Sequence, residues 1–296
     1  MTFPPLALLA ETDPRRQAAM TSALARRIRL EMLDILHRKG TGHWGGAASA
    51  CELLTALYFL RMKVDPARPR DPDRDRLVLS KGHASLLLYT VLAHRGFFSP
   101  ELLGTFRDAG STLQGHPCMR KTPGVDMSTG ALGHGLSVGL GMALAAQLAG
   151  KRFWTYVVVG EGCLDEGQTW EAAMAAAKFR PERLALLVDH NKVQLDGPSD
   201  QIMPLGSIAR KLEAFGWNVA PGPYDGHDPA AILETFRWLD GPGPWPRAVI
   251  YDTVKGKGVS FMEGQSKWHG APVDDANWAQ ARPELTAALA EAEALL

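Results

Sequence analysis

Residues 153–191 constrain this chain more than any other stretch. Phe153–Val159 is an unbroken run of β-branched and aromatic residues ending at Gly160-Glu161-Gly162. Glu166–Phe179 reads as a helix, Leu184–Val188 is a second apolar run, and Asn191 follows it. Two strands joined through a helix form a right-handed crossover, so they lie parallel. The rest of the chain repeats the alternation. A helix is expected from Asp13-Pro14 to Lys39, stopped by Gly40, and Ser49-Ala50-Cys51-Glu52 reads as a capping box for a helix to about Leu60. Leu77–Leu79 reads as a short strand, Ala84–Arg95 as a helix, and Ser99-Pro100 as the start of another. Further on, Ser207–Phe215 and Asp228–Leu239 are helical, Trp217–Val219 and Arg247–Val254 extended, and Pro283–Leu296 a terminal helix. The expected fold is α/β: a doubly wound, mostly parallel sheet with helices on both faces. Residues 1–12 read as a loose arm and 13–296 as one domain.

Composition narrows the function. Lys plus Arg and Asp plus Glu are both 32, so the formal net charge is zero. That argues against nucleic acid as the main partner, since phosphate recognition needs surplus cations. The longest apolar runs fall far short of the roughly 20 residues that span a bilayer, and the N-terminus lacks the basic start of a signal peptide. Cys51, Cys118 and Cys163 are widely spaced and suggest neither a disulfide framework nor a zinc site. A cytoplasmic protein is the expectation.

In open parallel sheets, ligands bind beyond the carboxyl ends of the strands. Glu161 and Asn191 occupy those ends on two strands expected about 4.8 Å apart, so their side chains can converge. A carboxylate, an amide oxygen and a backbone carbonyl are hard donors suited to Mg²⁺ or Ca²⁺ that also holds phosphate oxygens. Taken residue by residue, a plain turn at Gly160–Gly162 and a capping Asn191 explain the same letters.

Context separates the two. The stretches VVVGEGCLDEGQTWEA and ALLVDHNKVQLDG resemble the thiamine-diphosphate motif of the transketolase family, in spacer length and in the closing Asp196-Gly197. The resemblance implies a metal held by Glu161, Asn191 and the Val193 carbonyl, with Gly160 and Gly162 against the cofactor. The family's metal-binding Asp is here Glu161, one methylene longer. Ser128–Gly135 is a glycine-rich helix entry of the phosphate-binding kind; by resemblance Gly130, Ala131 and Leu132 pack on the thiazolium and diphosphate. His134 stands where full-length members usually have glutamine, and Trp44 where a proline is common, which would reshape the substrate funnel.

Four of the nine histidines fall in family motifs: Gly42-His43, Lys81-Gly82-His83-Ala84, Gly115-His116-Pro117 and Trp268-His269-Gly270. Ketol transfer moves protons on hydroxyls near neutral pH, where imidazole titrates. The resemblance implies that His116 binds the donor's C1 hydroxyl and that His43 and His269 handle sugar protons. His83 and His269 would touch the diphosphate. Glu166 and Glu171 match glutamates linking paired active sites across an interface, although an exposed helix face accounts for them equally well.

The resemblance covers about residues 15–280, one half of a transketolase. The pyrimidine-binding half, with the glutamate that activates the cofactor, is expected on a separate C-terminal subunit in an α₂β₂ assembly. Two other readings remain open. One is a subunit that decarboxylates a 2-oxo acid or passes a two-carbon unit to a carrier-bound acyl group. The other is a degenerate regulatory subunit that has lost the metal.

Overall fold

A computed structural model of the chain describes residues 3–296. Its six strands are β1 (Arg76–Leu79), β2 (Thr155–Gly160), β3 (Leu184–His190), β4 (Asn218–Val219), β5 (Tyr224–Asp225) and β6 (Arg247–Asp252). All pair in parallel, in the order β1-β2-β3-β6-β4, with β5 further along β6. The register sets Gly160 beside Asp189 and Asp189 beside Tyr251, so the carboxyl ends of β2, β3 and β6 finish level.

Side chains on successive strand residues point to opposite faces, and each face builds its own core. Leu77, Leu79, Tyr156, Val158, Leu187 and Val249 pack with helices Pro14–Lys39, Ser85–Arg95 and Pro229–Asp240. Val78, Val157, Val159, Leu186 and Val188 pack with helices His134–Leu148, Gly167–Phe179 and Ile208–Ala214. Both faces of the sheet are therefore covered, which is why its central strands read as continuous apolar runs.

Three local expectations are corrected. Ser49 and Glu52 form no capping box: the helix Cys51–Ala56 has Ala50 at its N-cap and no side-chain cap. Ser49 Oγ donates instead to Asp189 at 2.6 Å, and Glu52 pairs with Arg29; buried charges outbid an amide for both side chains. The terminal helix begins at Asp275, not Pro283, because Asp274 accepts from the Asn277 N–H at 2.8 Å. Proline inside a helix costs about 3 kcal/mol, and here docking offsets it: Trp278 Nε1 and Arg282 Nε both donate to Asp34, at 2.7 and 3.2 Å. The 1–12 arm is not loose where it is described. Pro5–Ala10 forms a 3-10 turn with Leu8 fully buried in the first core, and Arg27 Nη1 donates to the Phe3 carbonyl at 2.9 Å. Residues 1 and 2 lie outside the described residues.

One buried pair fastens this core. Arg29 and Glu52 are 3% and 4% exposed and meet through both guanidinium Nη atoms, while Arg29 Nη2 also donates to the Ala48 carbonyl at 2.7 Å. Burial alone would push the Glu52 carboxyl up, but Arg29 and His227 hold it down at about 2. Glu52→Gln should therefore cost about 3–5 kcal/mol, read from denaturant midpoints, because Arg29 is left as an uncompensated buried charge. A depressed carboxylate contributes stability that is complete above its unfolded pKa, about 4.3, and disappears as pH falls toward the folded value. The wild-type chain should lose stability more steeply than Glu52→Gln across that acid window; equal slopes would contradict the assignment.

Candidate active site

The carboxyl ends of the strands are locked by a buried charge. Asp189, the penultimate residue of β3, is 0% exposed and accepts from Lys81 Nζ, Thr253 Oγ1, Ser49 Oγ at 2.6 Å and Asn191 Nδ2 at 3.1 Å. Burial by itself would raise its pKa; the Lys81 ammonium and the hydroxyls hold it below the usual carboxylate range. Lys81 Nζ also donates to the Gly46 carbonyl at 2.5 Å. One carboxylate thus joins the turn after β1, the end of β3, the residue after β6 and the segment 46–49.

Above this lock lies a cavity of about 180 Å³. Glu161, Gly160, Gly162, Asn191, Val193, Leu132, His83 and His269 all line it, together with Lys81 and Lys255. Glu161 opens the short helix Glu161–Leu164, and its carboxylate accepts from the backbone N–H of Lys192 at 2.6 Å and of Asn191 at 3.2 Å. Burial and then the nearby Asp189 charge raise its pKa to about 7, against the pull of those amides. Asn191 Oδ1 accepts from the Val193 N–H at 3.3 Å, and the Val193 carbonyl accepts from Lys255 Nζ at 3.0 Å.

The donors fit a hard divalent cation: one carboxylate, one amide oxygen and one carbonyl at the tips of adjacent strands. Among the described residues no group of three or more His, Cys, Asp or Glu side chains is placed to hold a metal. A cation here would have a single protein charge and would need further oxygens from its ligand, as a diphosphate supplies. The cavity also fits such an anion. Lys255, its pKa brought down to about 8 by burial and the charge of Lys81, points into it and contacts His269 Nδ1 at 3.0 Å.

Three of the four motif histidines form one cluster. The ring centroids of His43, His83 and His269 are 5.3 Å (43–83), 5.4 Å (43–269) and 4.8 Å (83–269) apart. Burial first, and then Arg107 for His43 and Lys255 for His269, bring those two to about 4, while burial and the adjacent His269 ring bring His83 to about 2, so all three are neutral at pH 7. His43 Nδ1 is buried without a hydrogen-bond partner. His116 is exposed and sits outside this cluster, over Gly130: a Cβ there would stand 3.1 Å from its ring. Ala131 is exposed on the same strap. Gly82 lets that strap close in, since a Cβ would lie 2.7 Å from the Thr129 carbonyl carbon. Glu166 and Glu171 lie apart from the cavity, both exposed.

Sequence reasoning overlooked Lys255, Lys81 and Asp189 as site residues. A charged residue closing an apolar strand, as in LALLVDH, was the available signal for Asp189. Trp44 is corrected: it is fully buried rather than facing a funnel, and its Nε1 donates to the Gly256 carbonyl at 3.3 Å, steadying the turn that carries Lys255.

Residues 20–291 match the family described as transketolase, thiamine diphosphate binding domain. The chain is 43% identical over 258 residues to a 6-deoxy-6-sulfo-D-fructose transketolase subunit from Clostridium sp. (strain MSTE9), covering 87% of this chain and 93% of that one. It is 43% identical to an apulose-4-phosphate transketolase subunit from Phocaeicola vulgatus, covering 82% and 86%. Transketolase from Campylobacter jejuni superposes with a TM-score of 0.83 at 28% identity, over 92% of this chain and 45% of that one. The chain spans about half the length of such solved transketolases.

The electrostatics give a direct test. The His43 imidazole should keep neutral chemical shifts from about pH 8 down to about pH 5 and reach half-protonation near 4. Burial and the Arg107 charge are the largest causes, so Arg107→Met should move the midpoint upward. An NMR titration with a wild-type midpoint at about 6.5, the unperturbed value, would contradict this geometry.

Proposed function

The chain belongs to the transketolase family, and we propose that it is the N-terminal, cofactor-binding subunit of a two-chain enzyme moving a two-carbon ketol unit from a ketose or its phosphate to an aldehyde. The relatives named as subunits support the split. The chain covers most of two relatives named as subunits but 40% of a transketolase from Sinorhizobium medicae, with which it is 36% identical. The partner would carry the pyrimidine-binding domain, in an α₂β₂ assembly with Glu166 and Glu171 at the contact. No helix among the described residues is long and apolar enough to cross a membrane; we place the enzyme in the cytoplasm.

One observation carries the reading: the cavity in which Glu161, Asn191 and Val193 face two neutral histidines and Lys255. Glu161, Asn191 Oδ1 and the Val193 carbonyl would hold Mg²⁺, with Ca²⁺ the other hard cation suited to oxygen donors. Lys255, His83, His269 and the Gly130-Ala131-Leu132 strap would hold the diphosphate and thiazolium, with Gly160 and Gly162 leaving room at the strand tip. Thiamine diphosphate, when bound, supplies a thiazolium carbon able to act as a nucleophile toward a carbonyl.

The chain's own residues then manage protons and position. His43, neutral at pH 7, can accept a proton from a sugar hydroxyl and return it. Lys255 donates to His269 Nδ1, so the neutral ring carries its proton on Nε2, which would donate a hydrogen bond to a sugar oxygen. His116, exposed at the strap, would hold the donor's C1 hydroxyl. A polyhydroxylated donor suits four histidines better than a plain 2-oxo acid does. The facing oxygen donors speak against a degenerate subunit.

Reconstitution tests the proposal. With its complementary subunit, thiamine diphosphate and Mg²⁺, the chain should transfer two carbons from a ketose phosphate to an aldehyde. His43→Ala should lower kcat/KM by about 10²–10⁴-fold, the usual share of a proton-handling group. Absence of turnover over a panel of ketoses and ketose phosphates would overturn the proposal.

A further inference from the structure

At the amino end of β1, away from the site just described, a second cavity of about 580 Å³ opens between the 69–76 segment and the 119–126 loop. Its wall carries Arg70, Arg74, Arg76, Arg120 and Lys121, and Asp126 is the one carboxylate among its lining residues. That carboxylate is already committed. Its Oδ1 meets Arg74 Nη2 at 2.5 Å and lies 3.7 Å from Arg76 Nε, while Oδ2 accepts from the Leu77 N–H at 2.9 Å. The neighbouring carboxylates are also taken, Asp71 by Arg68 at 2.8 Å and Asp73 by Lys151 at 2.6 Å. Arg70, Arg120 and Lys121 are exposed and have no ion-pair partner among the described residues. Arg74 is different: its side chain is 8% exposed, and its Nε is buried with no acceptor.

A chain of zero net charge has no general need to gather five cations around one hollow. A buried N–H left without an acceptor is destabilising, and like charges held together add to that. An anion with several oxygens removes both costs, and the guanidinium fork matches phosphate geometry. We propose that this cavity is a binding site for the phosphate group of a small phosphorylated compound, separate from the cofactor cavity at the other end of β1. Arg74 would supply the buried donor, and Arg70, Arg120 and Lys121 the mobile charges that close over the ligand. The inference does not depend on the reaction assigned to the cofactor site.

Calorimetry on the full chain at low salt tests it, with inorganic phosphate as the first probe and glycerol 3-phosphate as the second. The wild-type chain should show one saturable phosphate-binding event that weakens with added salt. The double variant R120A/K121A alters two exposed side chains, so it should melt like the wild type yet bind phosphate at least tenfold more weakly. K255A, altered in the cofactor cavity, should bind phosphate as the wild type does. Tighter binding of glycerol 3-phosphate would identify an ester as the natural occupant, and equal binding would identify free phosphate; either supports the site. No saturable binding, unchanged binding in R120A/K121A, or binding lost in K255A alone would overturn the proposal.

Discussion

The structure depends on a carboxylate placed where water does not reach. Asp189 and Lys81 are 0% and 2% exposed, and each would be costly alone at that depth. The pair is tolerable because no polar atom of either is left to itself. Ser49, Thr253 and Asn191 donate to the carboxylate, and the Gly46 carbonyl takes a second ammonium proton. Such a pair contributes less to net stability than to geometry. It holds the ends of β1, β3 and β6 and the 46–49 segment at fixed distances, and those ends are the floor of the cavity.

On that floor the chemistry follows from how few charges remain. Glu161 is the carboxylate free to serve a cation, and it is parked on the amides of Asn191 and Lys192. Its carboxylate thereby reaches the tip of the neighbouring strand. Lys255 lies opposite on the Val193 and Gln194 carbonyls. Neutral imidazoles fill the space between. A site with one carboxylate, one ammonium that has no carboxylate partner and three neutral histidines suits an anion and a divalent cation arriving together better than either alone. Trp44 belongs to the same economy of position, since its indole fixes the turn from which Lys255 reaches in.

Much of this was legible in the sequence, for a local reason. Both faces of the central strands are covered, so they appear as apolar runs, and the residue after each run is at a ligand-facing end by construction. Glu161 and Asn191 could be placed together from that rule, and Val193 came from the resemblance. The histidines came from short motifs, each carrying its own position. The lock beneath the site was not legible, because its members are distant in the chain: Ser49 and Asp189 are 140 residues apart, and Lys81 and Asp189 are 108. The same tertiary pairing misled the reading of Ser49 and Glu52 as a cap, since nothing local announces Asp189 or Arg29. Pro283 misled by being a strong local signal for a helix start that the docked Trp278 overrides.

Titration of the chain with thiamine diphosphate in a calorimeter, with Mg²⁺ present and then chelated, bears most directly on the central claim that a cation between strand tips anchors the diphosphate. Saturable binding that disappears on chelation, and that is absent from Glu161→Ala even with Mg²⁺, is the result this account predicts. Equal affinity with and without the metal, or undiminished binding by Glu161→Ala, would contradict it.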